Sequence, residues 1–312
     1  MSAESPAVFE ARLRTIGAER YHHRHPFNQR MHAGTLTRQE IQTWVANRYY
    51  YQTRIPIKDG LILAKTSKPA FRRDWIRRIH DHDGTGERPG GLELWLELAR
   101  AVGLDRDRVE SLVDVLPGVR RACDAYVALV ESSDLLTSVA ASLTELFAGD
   151  IMTTRIAAFE RHYDWVDVEG LRYFRNRTRQ APTDAAEGLA FVLEHATTPE
   201  DQDRCAAALE RKCEILWELL DAVEAAHHKP ALSPHAIARL DDPEPMLVLA
   251  ERAIKLGGSG LEILQLCDGK HTSLEIAEAL AAAHPAEEHV RGDVHEFLEK
   301  LVGLHALELR EA

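Results

Sequence analysis

Along roughly the first 226 residues, apolar positions recur at spacings of three and four and almost never alternate, which predicts an all-α helical bundle. Ser5 followed by Pro6 is a cap with proline at the first helical position, opening a helix to about Arg20. A short helix ends at Gly34, and Thr37 with Glu40 forms a capping box that starts a long one. Inside that long helix Pro56 lacks an N–H and crowds the preceding turn, so a kink or break is expected near Arg54 or Ile55. The stripe Phe71, Trp75, Ile79 gives a helix over 69–83 closed by Gly84. Others are expected over 91–102, 106–113, 117–132, 135–149, 151–162, 168–179, 184–195 and 199–226.

The pattern changes at His227. HHKPALSPH, 227–235, contains two prolines and reads as a linker, so the expected domains are 1–226 and 236–312. Short β-like pieces follow at 238–240, 246–250 and 253–256, then helices at 259–266, 272–283 and 288–301. This is a small α+β, winged-helix-like arrangement, a shape often used on DNA. Its charge argues otherwise, because 230–312 holds 7 Lys or Arg against 15 Asp or Glu. The edge of its small sheet suggests pairing with an extended peptide instead.

The whole chain of 312 residues carries a net charge of −12, which leaves no general nucleic-acid surface and requires any anion site to be local. Glu4, Glu10 and Arg12 interrupt the first twenty residues, and no later stretch reaches about 18 uncharged residues, so neither export signal nor membrane span is expected. Cys123, Cys205, Cys213 and Cys267 form no CxxC pair, which suggests a reducing cytoplasm and no zinc knuckle or disulfide framework.

Candidate chemistry centres on 41–60, IQTWVANRYYYQTRIPIKDG. Arg48, Tyr51 and Gln52 share a helical face, where a solvated surface with a snorkelling Arg is an equally good reading. Tyr49, Tyr50 and Tyr51 point in three directions, so at least one is buried and needs a hydroxyl partner. RYHHRHPF, 20–27, would ordinarily be an exposed polar corner, and His80 and His82 in the last turn of their helix would ordinarily be dipole caps. Glu145, Met152 and Arg155 fall along one face if their helix is continuous, and Tyr173 and Arg177 are four apart. Taken singly each is a surface charge or cap. Together with Lys212 and His22 they suggest an interior cationic pocket for a polyanion, with His22 and His82 able to move protons. A di-iron bundle would need paired Glu-x-x-His motifs, and Glu145 is followed at the third residue by Ala148. Gly-rich phosphate loops, a nucleophile elbow and HExxH are absent too, so no metal or bound cofactor is spelt out.

RYHHRHPF, WVANRYYYQTRIPIKD, RRDWIRRIHDHDG, SLTELFA and GLRYFRNR resemble, in order, the motifs of the pyrroloquinoline quinone (PQQ) synthase family across most of residues 10–220. LVLAERAIKLGGSGLEILQLCDGKHTSLEIAEAL resembles the small peptide-binding protein of the same pathway. The resemblance implies a heme-oxygenase-like (TenA-like) bundle, a homodimer, and a cofactorless oxidase. Such an enzyme closes a ring in a tricarboxylate quinone precursor and oxidises it with O2 as co-substrate, releasing peroxide. By motif matching, Arg48, Arg155, Arg177 and Lys212 would hold carboxylates or quinone oxygens, and Tyr51, Gln52 and Tyr126 would line the pocket. His82 would be the general base, with Tyr21, His22, Glu145 and Tyr173 at protons or the oxygen site. The tail would hold a ribosomal precursor peptide for a radical SAM enzyme. One departure is Met152, where the family usually carries a histidine; methionine cannot titrate. A related oxidase on another peptide-derived quinone, or a noncatalytic peptide- or quinone-binding scaffold, are the competing readings.

Overall fold

A computed structural model describes residues 2–240, 243–287 and 289–311. By its internal contacts the chain divides into two units, 1–112 with 118–220, and 113–117 with 221–312.

The first unit is helical: α1 Pro6–Arg20, α2 Pro26–Ala33, α3 Arg38–Ala64, α4 Pro69–Asp83, α5 Gly91–Ala101, α6 Arg106–Glu110, α7 Pro117–Ser132, α8 Leu135–Ala140, α9 Ala148–His162, α10 Arg172–His195 and α11 Pro199–Ala225. Local chemistry sets most ends. Ser5 accepts from the Val8 N–H, Thr37 and Glu40 complete their capping box, and Gly34 at φ 74 closes α2. The core is aromatic at its centre, where Trp95 meets Trp44, Tyr173 and Phe174 edge-on at centroid distances of 5.5, 4.8 and 5.9 Å.

Three expectations are revised here; of the kink or break expected near Pro56, the break does not occur. Pro56 does not end its helix: α3 runs through it for 27 residues, because Ile55, Lys58, Asp59 and Ile62 are all buried around it. Its missing N–H deprives only the Gln52 carbonyl. Pro182 likewise sits inside a single α10 where two helices were expected. Conversely, 135–149 is not one helix. It breaks after Ala140, passes through a 3-10 segment at Leu143–Phe147 and resumes as α9. Leu135–His162 is apolar enough by composition to cross a membrane, but it is interrupted in this way and half of its most apolar window is buried.

In the second unit β2 Ile237–Arg239, β3 Met246–Leu249 and β4 Arg252–Lys255 form an antiparallel sheet with β3 central, followed by α12 Ser259–Leu266, α13 Ser273–Ala283 and α14 Val290–Gly303. The helix expected over 288–301 thus begins at Val290; residue 288 lies outside the described residues. The expected linker is also corrected: 227–235 contains β1 Lys229–Leu232, paired antiparallel with β5 Leu307–Arg310. Prolines are tolerated on such an edge ribbon, and Pro230 and Ala231 are buried in it. Leu247, Ile263, Ile276, Leu280, Val294 and Leu301 form this unit's own core. All four cysteines are free and buried.

Candidate active site

Of the α3 residues, Arg48 is half-buried while Tyr51 and Gln52 are buried. Lys212 on α11 is fully buried, and its Nζ donates to Tyr51 Oη at 3.0 Å. The same ammonium lies 3.8 Å from the Tyr126 ring centroid and 4.4 Å from that of Tyr51, and the two rings are nearly parallel at 6.4 Å. The Arg48 guanidinium sits 3.8 Å from the Tyr51 ring, and Gln52 Oε1 accepts from Tyr173 Oη at 3.0 Å. The convergence read from the sequence is therefore real, and it faces inward.

Arg155 on α9 donates to Asn28 Oδ1 at 3.0 Å and lies 4.9 Å from the Trp44 ring, with Nη1 3.9 Å from Met152 Sδ. Asn28 in turn donates to the His22 carbonyl at 2.8 Å. This pulls 20–27 into the bundle. The run expected as an exposed corner instead buries Tyr21, His22, His25 and Phe27, with the Phe27 N–H given to His25 Nδ1 and the His25 ring 4.8 Å from Trp217. The rings of Tyr21 and His22 are 4.3 Å apart.

Charge in this region is uncompensated. Among the described residues, no carboxylate pairs with Arg48, Arg155 or Lys212. Burial and then Arg48 hold the Lys212 ammonium well below the usual lysine value and bring Arg155 down to about 10. Burial, then Arg48, Arg155 and Lys212, push His22 well below its usual value, so its imidazole is neutral at pH 7. Burial raises Tyr51 and lifts Tyr21 to about 12, leaving both as neutral hydroxyls.

A second group is balanced. Arg78 on α4 pairs with Glu145 and donates to the Asp184 carbonyl at 2.5 Å, and Arg177 meets Asp184 Oδ2 at 3.2 Å. Lys58 Nζ lies 2.7 Å from Asp59 Oδ1 and donates to Ser142 Oγ at 3.0 Å, and Ser142 Oγ is 3.4 Å from Tyr126 Oη. Despite its burial, Glu145 is held down at about 2, chiefly by Arg78 and Lys58. It stays a carboxylate at neutral pH and anchors Arg78. Nor does it share one continuous helix with Met152 and Arg155, because it lies in the 3-10 segment before α9.

His82 is buried rather than an exposed cap, and it joins Tyr173, Arg177, Asp184 and Gly91 around a cavity of about 660 Å³. Its Nδ1 faces the Arg78 carbonyl at 3.1 Å, which makes Nδ1 the N–H and leaves the Nε2 lone pair free. Burial, then Arg177, brings its pKa down to about 3. It is thus a neutral and weak base at pH 7. A side chain at position 91 would crowd Tyr173, since a Cβ there comes within 3.2 Å of its ring.

The sequence pointed to twelve residues and missed Asn28, Lys58, Asp59, Arg78, Ser142 and Asp184. Lys58 and Asp59 were legible. They fall between Ile55 and Ile62 on the buried face of α3, where charges occur only if paired or functional.

Comparison with known proteins identifies the family and the fold. The sequence pattern of the TENA/THI-4/PQQC family matches residues 10–222, and that of coenzyme PQQ synthesis protein D (PqqD) matches 242–307. Pyrroloquinoline-quinone synthase of Gluconobacter oxydans is 48% identical over 236 residues, 76% of this chain and 99% of that protein. The protein of the same name from Ruegeria pomeroyi is 49% identical over 227 residues, 73% of this chain and 94% of that one. Among solved structures, a heme oxygenase-like domain from Shewanella denitrificans superposes with a TM-score of 0.59 at 16% identity, covering 71% of this chain and 93% of that one. A TenA homologue from Pseudomonas syringae gives 0.58 at 13%, covering 72% and 98%. These two likenesses establish the heme-oxygenase-like fold.

Proposed function

We propose, for a chain that belongs to the TENA/THI-4/PQQC family and continues into a PqqD domain, a cofactorless oxidase that completes a tricarboxylate quinone, fused to a holder of the precursor peptide. As a fusion of these two domains the chain belongs to PQQ biosynthesis. The observation that carries the finer reading is a set of cations without carboxylate partners, Arg155 and Lys212 buried and Arg48 half-buried. An interior holding Arg48, Arg155 and Lys212 in this state is costly unless a polyanion enters it.

In this reading Arg48, Arg155, Arg177 and Lys212 take the carboxylates and quinone oxygens, while Tyr51, Gln52 and Tyr126 wall the rings. A bound polyanion restores proton affinity to His22 and Lys212. His82 Nε2 removes a proton from substrate carbon as the ring closes, and its basicity rises once the anion offsets Arg177. Tyr21 and Tyr173 donate hydrogen bonds to developing oxygen charge. Each electron pair leaving the electron-rich substrate, with two protons, converts one O2 to H2O2. The protein contributes position and proton transfer. The resemblance extends the reading to a cytoplasmic homodimer.

Among the described residues of the second unit β2 and β4 each have a single strand neighbour in their sheet, and the acidic surface suits a peptide rather than nucleic acid. We read it as holding the ribosomal precursor for a radical SAM enzyme. Met152 supports a narrower second reading, an oxidase for another peptide-derived quinone, because a thioether stands beside Arg155.

The test is anaerobic mixing of the chain with the tricarboxylate precursor, then air, following quinone absorbance and peroxide. Product with stoichiometric peroxide, unaffected by chelator, is expected. Accumulation of a partly oxidised species that Met152→His carries forward favours the second reading. No binding and no spectral change overturns both, and activity abolished by chelator overturns the cofactorless part.

A further inference from the structure

Asp184 occupies a position that the proposed chemistry leaves unexplained. It is buried on the wall of the 660 Å³ cavity, beside the very cation assigned to a substrate carboxylate. Its Oδ2 meets Arg177 Nη1 at 3.2 Å, a single contact rather than the paired, shorter fork that guanidinium and carboxylate reach when matched. Its backbone is held independently, since Arg78 donates to the Asp184 carbonyl at 2.5 Å. The side chain can therefore leave Arg177 without unfolding the helix. Pro182, two residues earlier, has no N–H for the Thr178 carbonyl, so α10 lacks one rung next to Asp184.

We propose that Asp184 is an exchangeable internal counter-ion, which occupies Arg177 while the site is empty and yields it to a carboxylate of the incoming substrate. The proposal rests on the reading that Arg177 receives such a carboxylate. Its consequence is selection: a ligand must compete with an anion already in place, so neutral and singly charged quinones are disfavoured relative to polyanions. It also gives binding a pH dependence. Asp184 faces Arg177 from its own helix, Arg78 and Asp81 from α4, and Glu145 from the 3-10 segment. Burial, followed by Glu145, raises its pKa to about 6 against the pull of both arginines. Glu145 remains ionised through this range, and Asp81 is itself raised by burial. As pH falls through about 6 the internal competitor is protonated and ligand affinity rises.

The full chain and Asp184→Asn are titrated with benzene-1,3,5-trisulfonate, whose charges do not change with pH, and with the quinone tricarboxylate product. At pH 7.5 the variant is expected to bind both on the order of tenfold more tightly, the equivalent of one pKa unit of coupling. The difference shrinks below pH 6. Asp184→Ser serves as a second isolating variant, and the unmodified chain needs none: its trisulfonate affinity must rise between pH 7.5 and 5.5. Equal or weaker binding by the variants, or a flat profile in the unmodified chain, overturns the exchange. Tighter trisulfonate binding by the variant while neither form binds the quinone supports the exchange and overturns the proposed substrate.

Discussion

Replacing Lys212 by methionine should make the empty protein more stable and the site useless. Folding must either bury this ammonium with no counter-ion or strip its proton, and the effective penalty for such a group is several kcal/mol. The faces of Tyr51 and Tyr126 return about 2 kcal/mol and the bond to Tyr51 about 1 kcal/mol. A net gain of about 1–3 kcal/mol is left for a methionine of similar length, or roughly 2–10 °C in melting temperature for a unit of this size. The sign with pH follows from linkage. The folded Lys212 holds its proton less tightly than the unfolded chain does, so the parent gains stability as pH rises toward about 10.4. Lys212→Met lacks that slope, and its advantage is largest near neutrality and gone above about pH 10.4. Melting curves at pH 7 and 10, with titration of the quinone tricarboxylate, test both halves: affinity should fall at least about tenfold. A variant that melts lower at pH 7 would refute the reasoning, because Lys212 would then be serving the fold.

Three other outcomes follow from the same geometry. Binding of the tricarboxylate at pH 7 should draw protons from solution, because His22 and Lys212 regain affinity as the anion offsets their neighbours; calorimetry in buffers of different ionisation enthalpy should show net uptake, and zero uptake contradicts the uncompensated site. Glu145→Gln should cost about 3 kcal/mol at pH 7 by orphaning Arg78. Because Glu145 is depressed to about 2, its contribution is present above about pH 4.5 and lost as pH falls through 2, so urea unfolding of the variant should be less acid-sensitive in that window. Adding a precursor peptide that contains Glu and Tyr should shift amide resonances of one edge strand, 237–239 or 252–255, and shifts confined to α12–α14 would exclude strand addition.

Local signals in the sequence located nearly every helix, because caps such as Ser5, Thr37 and Thr272 act within one turn. The readings that failed depend on partners far along the chain. Pro56 and Pro182 look like breaks until their buried neighbours are known, and 20–27 looks exposed until Asn28 and Trp217 are seen to draw it inward. The 227–235 stretch is a strand only because 307–310 lies beside it. At the site, Arg48, Arg155, Arg177 and Lys212 could be picked out from residue types and spacing, while Lys58 and Arg78 were missed. Which of the cations were already neutralised could not be read, since Arg78–Glu145 and Arg177–Asp184 join separate turns and helices or positions seven apart.

The four buried cysteines matter for durability. Peroxide attacks thiolates, and burial raises the thiols of Cys123, Cys205, Cys213 and Cys267 to about 12. At neutral pH only about one thiol in 10⁵ is ionised at any instant. Two of these residues border the site: Cys213 adjoins Lys212, and Cys123 lies within electrostatic reach of it. A catalyst that released its oxidant there would face thiols chemically silent toward it, so its working lifetime would not be set by cysteine damage.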